Sequence, residues 1–395
     1  MTLVSIPIII GSAGAGAWAA LAVAQAVGTA GAIIVGFGWG ITGPTAVASA
    51  DLPARLNLFF DSLWARLALT APVAAAAVTV TVFSVQVSDT AAALNALSYT
   101  ITGLLSGWYF TGVARPWSFL LLDTAPRVLG AAVGTTLVAF GSPLIAYSGV
   151  QLIGVLVGVV VTVWRISDGQ FRGPRSVNAV RTALASQSHG MLLSGVSALV
   201  TALPPVLVAL TAPAALPAYT LADKLFRFAT TGFSPVLQYL QGWVPGVRGM
   251  DRVERARRAA RFGLVVAAVG SIAFMFLAAL VGGVLSHGLV SIDLPLAVAF
   301  GAVLGLFVAA QVIGLIGLLS FGAARQYARY SLIGAVVGMP LTLVGAAALG
   351  ASGAVTGFGI GELLALVLES MLFLRLSREA REEPDGSAPS GSLPA

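Results

Sequence analysis

The sequence predicts an all-α polytopic membrane protein of about twelve transmembrane helices, arranged as two six-helix lobes. Three observations carry this. Only 9% of the 395 residues are charged while 58% are hydrophobic, against about 25% charged in an ordinary soluble domain. The apolar stretches are long and do not alternate, which excludes membrane β-strands. Basic residues recur at every second connection between those stretches, the pattern that positive-inside topology produces.

The elements follow from the length of chain that crosses a bilayer, about 20 apolar residues. Eleven full segments meet it: 17–40, 66–87, 91–113, 118–141, 144–164, 188–210, 216–244, 262–286, 293–320, 328–348 and 352–375. The leading "TLVSIPIII" is shorter. It has no basic flank and no cleavage site of the kind a signal peptide needs, so it reads as the end of a clipped first helix, and an upstream start is expected. Small-xxx-small spacings such as Gly154/Gly158 suit close helix–helix approach in lipid. Composition bias towards Ala, Gly and Arg would produce some of them equally well.

With twelve helices, nineteen of the 21 lysines and arginines fall at alternate connections and the C-terminus. Arg55 and Arg66 mark connection 2–3, and Arg115 and Arg127 mark 4–5. Arg165, Arg172, Arg175 and Arg181 mark 6–7, and Arg248, Arg252, Arg255, Arg257, Arg258 and Arg261 mark 8–9. Arg325 and Arg329 mark 10–11, and Arg375, Arg378 and Arg381 follow helix 12. The other connections, near Gly14, Asp89, Ser142, Pro213, His287 and Ser352, carry none. Both termini are therefore expected in the cytoplasm. Trp108 and Trp117 take positions expected of interface anchors. The run "RGMDRVERARRAARF" reads as an interfacial helix against anionic headgroups. The sequence pI near 10.2 reports topology in such a chain, and no nucleic-acid partner is expected.

The 6–7 linker divides the chain into an N-terminal lobe at 1–165, a cytoplasmic linker at 166–187 and a C-terminal lobe at 188–376. A polar tail at 377–395 is expected to be disordered. "TGVAR" at 111–115 and "FGAAR" at 321–325 each close the fourth helix of their half, which points to a parallel pseudo-repeat. The chain contains no cysteine, and His189 and His287 lack ligand spacing, so no metal site is expected. With no P-loop there is no built-in ATPase. Short outer loops and the absence of a loop carboxylate pair argue against an enzyme, and no cofactor is expected.

The stretch "GWYFTGVARPWSFLLLDTAPRVLG" at 107–130 resembles the aromatic-Gly motif followed by an Asp…Arg pair in Wzx-type polysaccharide flippases of the multidrug/oligosaccharidyl-lipid/polysaccharide exporter superfamily. "WAALAVAQAVGTAGAIIVGFGWG" and "AYTLADKLFRFATTGFSPVLQYL" resemble that family too. The resemblance implies two six-helix lobes around a central cavity in the bacterial cytoplasmic membrane. It implies that undecaprenyl-pyrophosphate-linked oligosaccharide is flipped by alternating access for surface polysaccharide synthesis, with membrane lipids and a polysaccharide polymerase complex as partners. Within the superfamily the alternatives are a flippase for the peptidoglycan precursor and a cation-coupled drug exporter. Outside it stands a non-transporting partner of a polysaccharide assembly complex.

Ionisable residues inside spans mark the candidate site. Helix 8 carries Asp223, Lys224 and Arg227, with the two cations roughly 10 and 15 Å from the outer end. Asp223 and Arg227 are i,i+4 and can pair. They form either an internal pair with Lys224 snorkelling outward or a cationic wall that meets a pyrophosphate, for which the planar guanidinium fork is suited. Asp123 and Arg127, also i,i+4, are expected at the cytoplasmic end of helix 5 as a gating or structural pair. Glu362 and Glu369 share one face of helix 12. A lone carboxylate in hydrocarbon is costly to ionise, which makes Glu362 the main candidate for proton or cation coupling, against a neutral hydrogen-bonded carboxyl. Gln25, Asn95, Tyr99, Gln238 and Gln311 are candidate polar lining or interhelical hydrogen bonds.

Overall fold

A computed structural model describes residues 4–87, 89–168, 171–173, 181–182, 184–185, 187–244, 249–318 and 320–382. The tail from 383 onward, Arg175, Arg248 and half of the predicted linker at 166–187 lie outside the described residues. Among the described residues the chain is helical throughout and contains no strand.

The helices are α1 (Ser5–Ala13), α2 (Ala15–Gly36), α3 (Trp39–Ser49), α4 (Leu52–Ser84), α5 (Asp89–Ile101) and α6 (Gly107–Gly112). They continue with α7 (Pro116–Ser118), α8 (Ala125–Ala139), α9 (Leu144–Ser167), α10 (Ser188–Thr211), α11 (Leu216–Trp243), α12 (Gly249–Leu285), α13 (Leu294–Gln311) and α14 (Ala324–Glu382). Each predicted segment, including the short leading one, is helical. Several are single spans interrupted within the membrane. The α2–α3 span bends where Phe37 and Gly38 both take left-handed backbone, at φ 44° and 80°. The α5–α6 span breaks at Leu105 and Ser106. A π-helical turn at Phe119–Thr124 joins α7 to α8, and another at Val312–Leu318 extends α13. The long α14 holds two predicted spans, joined at Gly350 with φ 63° and ψ −139°, a conformation open to glycine and strained for other residues. Among the described residues six helices are each long and apolar enough to cross a membrane, α14 counted once.

Local signals set the starts. Asp51 caps α4, its Oδ1 accepting from Ala54 N–H at 2.9 Å, and Asp293 does the same for α13 through Leu296 N–H at 3.1 Å. Both caps are followed by proline in the first turn, where its missing N–H has no helical partner to lose.

Packing separates two compact units. The first comprises Met1–Leu221, Ala279–Ile292 and Gly345–Ala354. Its densest seam joins α2–α3 to α5–α6 and is made by glycines. A Cβ on Gly28 would lie 2.6 Å from the Ala96 carbonyl oxygen, and one on Gly103 2.6 Å from the Ala32 oxygen. Nearer α3, a Cβ on Gly43 would overlap the Trp108 ring, and one on Gly112 would lie 2.6 Å from the Pro44 oxygen. In lipid this contact rests on close packing and dispersion instead of hydrophobic exclusion, so small residues are what permit it. Gly154 gives α9 the same access to α8, where its Cβ would lie 2.5 Å from the Pro126 oxygen. An aromatic cluster closes the seam. Trp39 and Trp108 lie 5.3 Å apart by ring centroids, and Phe59 meets Tyr109 edge-on at 5.7 Å. Trp108 is thus a core residue, 8% exposed, in contrast with the expected interface anchor. Trp117, 74% exposed, is free to serve as one.

The second unit comprises Ala222–Ala278, Asp293–Val344 and Val355–Ala395. Its core gathers Leu240, Val244, Ala256, Ala259, Val312, Ile313, Leu318 and Phe373. The two halves of α14 approach closely here, with a Cβ on Gly334 only 2.7 Å from the Gly361 carbonyl oxygen. In both units large apolar side chains remain on the outside, among them Phe140 and Phe276, as expected where lipid is the solvent.

Candidate functional site

In the first unit three ionisable side chains converge on the break in the α5–α6 span. A helix that stops inside a membrane leaves carbonyls without partners. Arg66 supplies them. Its Nη1 donates to Gly103 O at 3.1 Å and to Leu105 O at 2.9 Å, its Nη2 to Ser106 Oγ at 3.3 Å, and its Nε to Ser62 O at 3.3 Å. The guanidinium also lies 5.8 Å from the Trp108 ring centroid, within cation–π range. Its position corrects the sequence assignment. Because Asp51 starts α4 at Leu52, Arg66 sits four turns into the helix and is 1% exposed, not in a connection.

Asp123 lies within electrostatic reach of Arg66 and accepts from the Gly107 N–H. A Cβ on Gly107 would be 3.0 Å from Asp123 Oδ2 and would overlap the Phe119 ring, which explains the glycine that opens the aromatic motif. Arg127 completes the cluster, with Nη2 donating to Asp123 Oδ1 at 2.9 Å. The predicted pair therefore forms, but deeper than expected. With the span running from Pro116 to Ala139, Arg127 lies about 18 Å from its Ala139 end at 1.5 Å per residue, midway along it. Asp123 sits in the π turn, a distortion that recurs at functional sites. Arg127, 39% exposed at its side chain, lines a cavity of about 190 Å³ with Tyr99, Thr102, Thr124, Gln151 and Val155. Tyr99 was anticipated as a lining residue; Gln151 was not. Asn95, by contrast, is an interhelical tie, its Nδ2 donating to Leu21 O at 3.0 Å.

In the second unit the predicted α11 pair also forms. Arg227 Nε donates to Asp223 Oδ2 at 2.7 Å. The Asp223 side chain is 18% exposed and that of Arg227 39%. Lys224 is half-buried beside them. In the C-terminal half of α14, Glu362 is half-buried and Glu369 is 1% exposed. Glu369 Oε1 accepts from Ser331 Oγ at 3.2 Å, and its Oε2 is buried with no hydrogen-bond partner among the described residues. Of the two carboxyls the sequence singled out, Glu369 is the one the packing encloses. Among the described residues no cluster of His, Cys, Asp or Glu could hold a metal ion.

The fold is similar to that of solved transporters. An inward-facing multidrug resistance MATE family transporter of the MOP superfamily matches with a TM-score of 0.71 at 13% identity, over 96% of this chain and 94% of that one. The lipid II flippase MurJ, in an inward closed conformation, matches with a TM-score of 0.69 at 12% identity, over 96% of this chain and 88% of that one. A MATE structure in a bent conformation matches at 0.55 and 14% identity, over 95% of both chains. The chain has the fold of these transporters. No protein-family model matches it, and neither does any curated protein. Together with its long apolar helices, the fold makes the chain a multi-pass membrane protein.

Proposed function

We propose that the protein is a transporter of the MOP superfamily that flips a lipid-linked oligosaccharide pyrophosphate across the bacterial cytoplasmic membrane by alternating access. Its two lobes are 1–165 and 188–376, and both termini are cytoplasmic. The observation that carries this reading is Arg227. It lies about 16 Å along α11 from Leu216 at 1.5 Å per residue and is bound to Asp223 through Nε, yet 39% of its side chain is accessible. A structural ion pair in hydrocarbon gains nothing from an accessible cation, whereas a pyrophosphate gains a fork donor there. Lys224 adds a second positive charge beside it. The likeness to a lipid II flippase supports a lipid-linked anion as the cargo class, and the resemblance of 107–130 to Wzx-type flippases supports an oligosaccharide in place of the peptidoglycan precursor.

The test is the lipid-linked intermediate that accumulates on the cytoplasmic face when the gene is deleted. An undecaprenyl-pyrophosphate oligosaccharide supports the proposal; a normal lipid pool overturns it.

The second reading, a cation-coupled exporter of amphiphilic drugs, is favoured by Glu369, an enclosed carboxyl of the kind that couples transport to a proton. Increased drug sensitivity of the deletion strain with an unchanged lipid pool would select it.

A further inference from the structure

A cavity of about 420 Å³ lies in the second unit, apart from the candidate site residues. It is lined by Arg257, Arg261 and Arg378 together with Leu264, Ile313, Ser370, Phe373 and Leu374. The lining contains three guanidinium groups and no carboxylate.

Position along the helices sorts the cations from the apolar residues. Counted inward from Leu285, the outer end of α12, about 20 residues fill the hydrocarbon core and bring the chain to Val265. Leu264 is at that boundary, and Arg261 and Arg257 lie about one and two turns beyond it. Counted from the kink at Gly350, the same length reaches Ser370, followed by Phe373 and Leu374, with Arg378 about two turns farther on. The cations thus share the headgroup level while the apolar wall meets the start of the acyl chains. Leu264 and Leu374, 44% and 51% exposed, open the cavity towards lipid. One cation is fixed in place: Arg257 Nη2 donates to the carbonyl of Ser377 at 3.1 Å and ties α12 to the C-terminal half of α14. A loose basic surface would not position a guanidinium in this way.

We propose that this cavity is a binding site for an anionic phospholipid of the cytoplasmic leaflet, its phosphate held by Arg257, Arg261 and Arg378 and the start of an acyl chain lying on Leu264, Ile313 and Phe373. Charge complementarity selects the occupant. A zwitterionic lipid returns its own cation to a site that already holds three, whereas phosphatidylglycerol leaves a net anion. The apolar wall selects a lipid over free phosphate. The site stands independently of the cargo proposed above.

Native mass spectrometry of the full-length purified protein, with phosphatidylglycerol or phosphatidylcholine added in detergent, tests this. The wild type should retain one phosphatidylglycerol with at least tenfold preference over phosphatidylcholine. Arg261→Gln/Arg378→Gln, which leaves the Arg257–Ser377 bond intact, should lower that occupancy tenfold or more without changing the melting temperature in lipid-free detergent. Arg258→Gln/Arg325→Gln removes two exposed arginines outside the cavity and should leave it unchanged. Equal retention of both lipids, equal loss in the control variant, or phosphatidylglycerol retained by Arg261→Gln/Arg378→Gln would each overturn the proposal.

Discussion

Arg66 Nη1 reaches the Leu105 carbonyl at 2.9 Å, so that a cation from the middle of one helix closes the broken end of another. The local field favours this pairing. Carbonyls at a helix C-terminus carry partial negative charge, and inside a membrane no water competes for them. Removal of the guanidinium leaves the Gly103 and Leu105 oxygens without this donor. Arg66→Ala should therefore lose about 2–4 kcal/mol of stability, read as a lower melting temperature of the detergent-solubilised protein. Arg66→Lys should recover part of the loss, since an ammonium offers donors but not the planar fork. An unchanged melting temperature in Arg66→Ala would show that the break has another support.

The glycine seam makes a sharper steric prediction. At Gly28 a methyl group meets backbone on the partner helix at 2.6 Å, and backbone cannot rotate away. Gly28→Ala should cost about 1–3 kcal/mol. Gly36, on the same helix with nothing within 4 Å of its would-be Cβ, is the control: Gly36→Ala should be neutral or stabilising by up to about 1 kcal/mol. Thermal melts of both variants decide the matter, and equal effects would reject the seam as the determinant.

On α11 the expected outcomes separate a binding role from a structural one. Arg227→Ala should abolish flipping in proteoliposomes carrying a fluorescent lipid-linked sugar pyrophosphate, and Arg227→Lys should retain part of it at most. Asp223→Asn distinguishes the readings, because a purely structural pair suffers equally from loss of either member. Normal polysaccharide export by a stably expressed Lys224→Ala/Arg227→Ala variant would end the pyrophosphate assignment.

The C-terminal half of α14 offers the coupling test. Glu369→Gln keeps the shape and the Ser331 hydrogen bond while removing the titratable proton. It should preserve expression and substrate binding but lose transport driven by a proton gradient by tenfold or more. Glu362→Gln should have the smaller effect, since Glu362 is the less enclosed of the two. Full gradient-driven activity in both variants would return the carboxyls to a structural role.

Much of this was legible in the sequence, and the reason is chemical. Hydrocarbon penalises every charge and every unpaired backbone group, so span lengths, the alternation of arginines and the i,i+4 pairs Asp123–Arg127 and Asp223–Arg227 are written along one dimension. These pairs lie within single helices, and helical geometry alone brings their members together. The sequence also contained an unused signal: the Asp51-Leu52-Pro53 cap sets the start of α4 and would have moved Arg66 from a connection into the membrane.

Tertiary structure decided whatever depends on which helix faces which. Trp108 became core instead of an anchor because Gly43 on a neighbouring helix leaves room for its ring. Arg66 found its partners 37 and 39 residues away because the fourth span breaks beside it, and nothing in the local sequence around Arg66 encodes that break. Glu369 rather than Glu362 was enclosed because Ser331, 38 residues earlier, packs against it. A hydropathy pattern reports how much of a helix can enter lipid. The partner that satisfies each buried polar group is chosen only when helices pack, since a contact between distant residues is a property of two surfaces and is carried by neither segment alone.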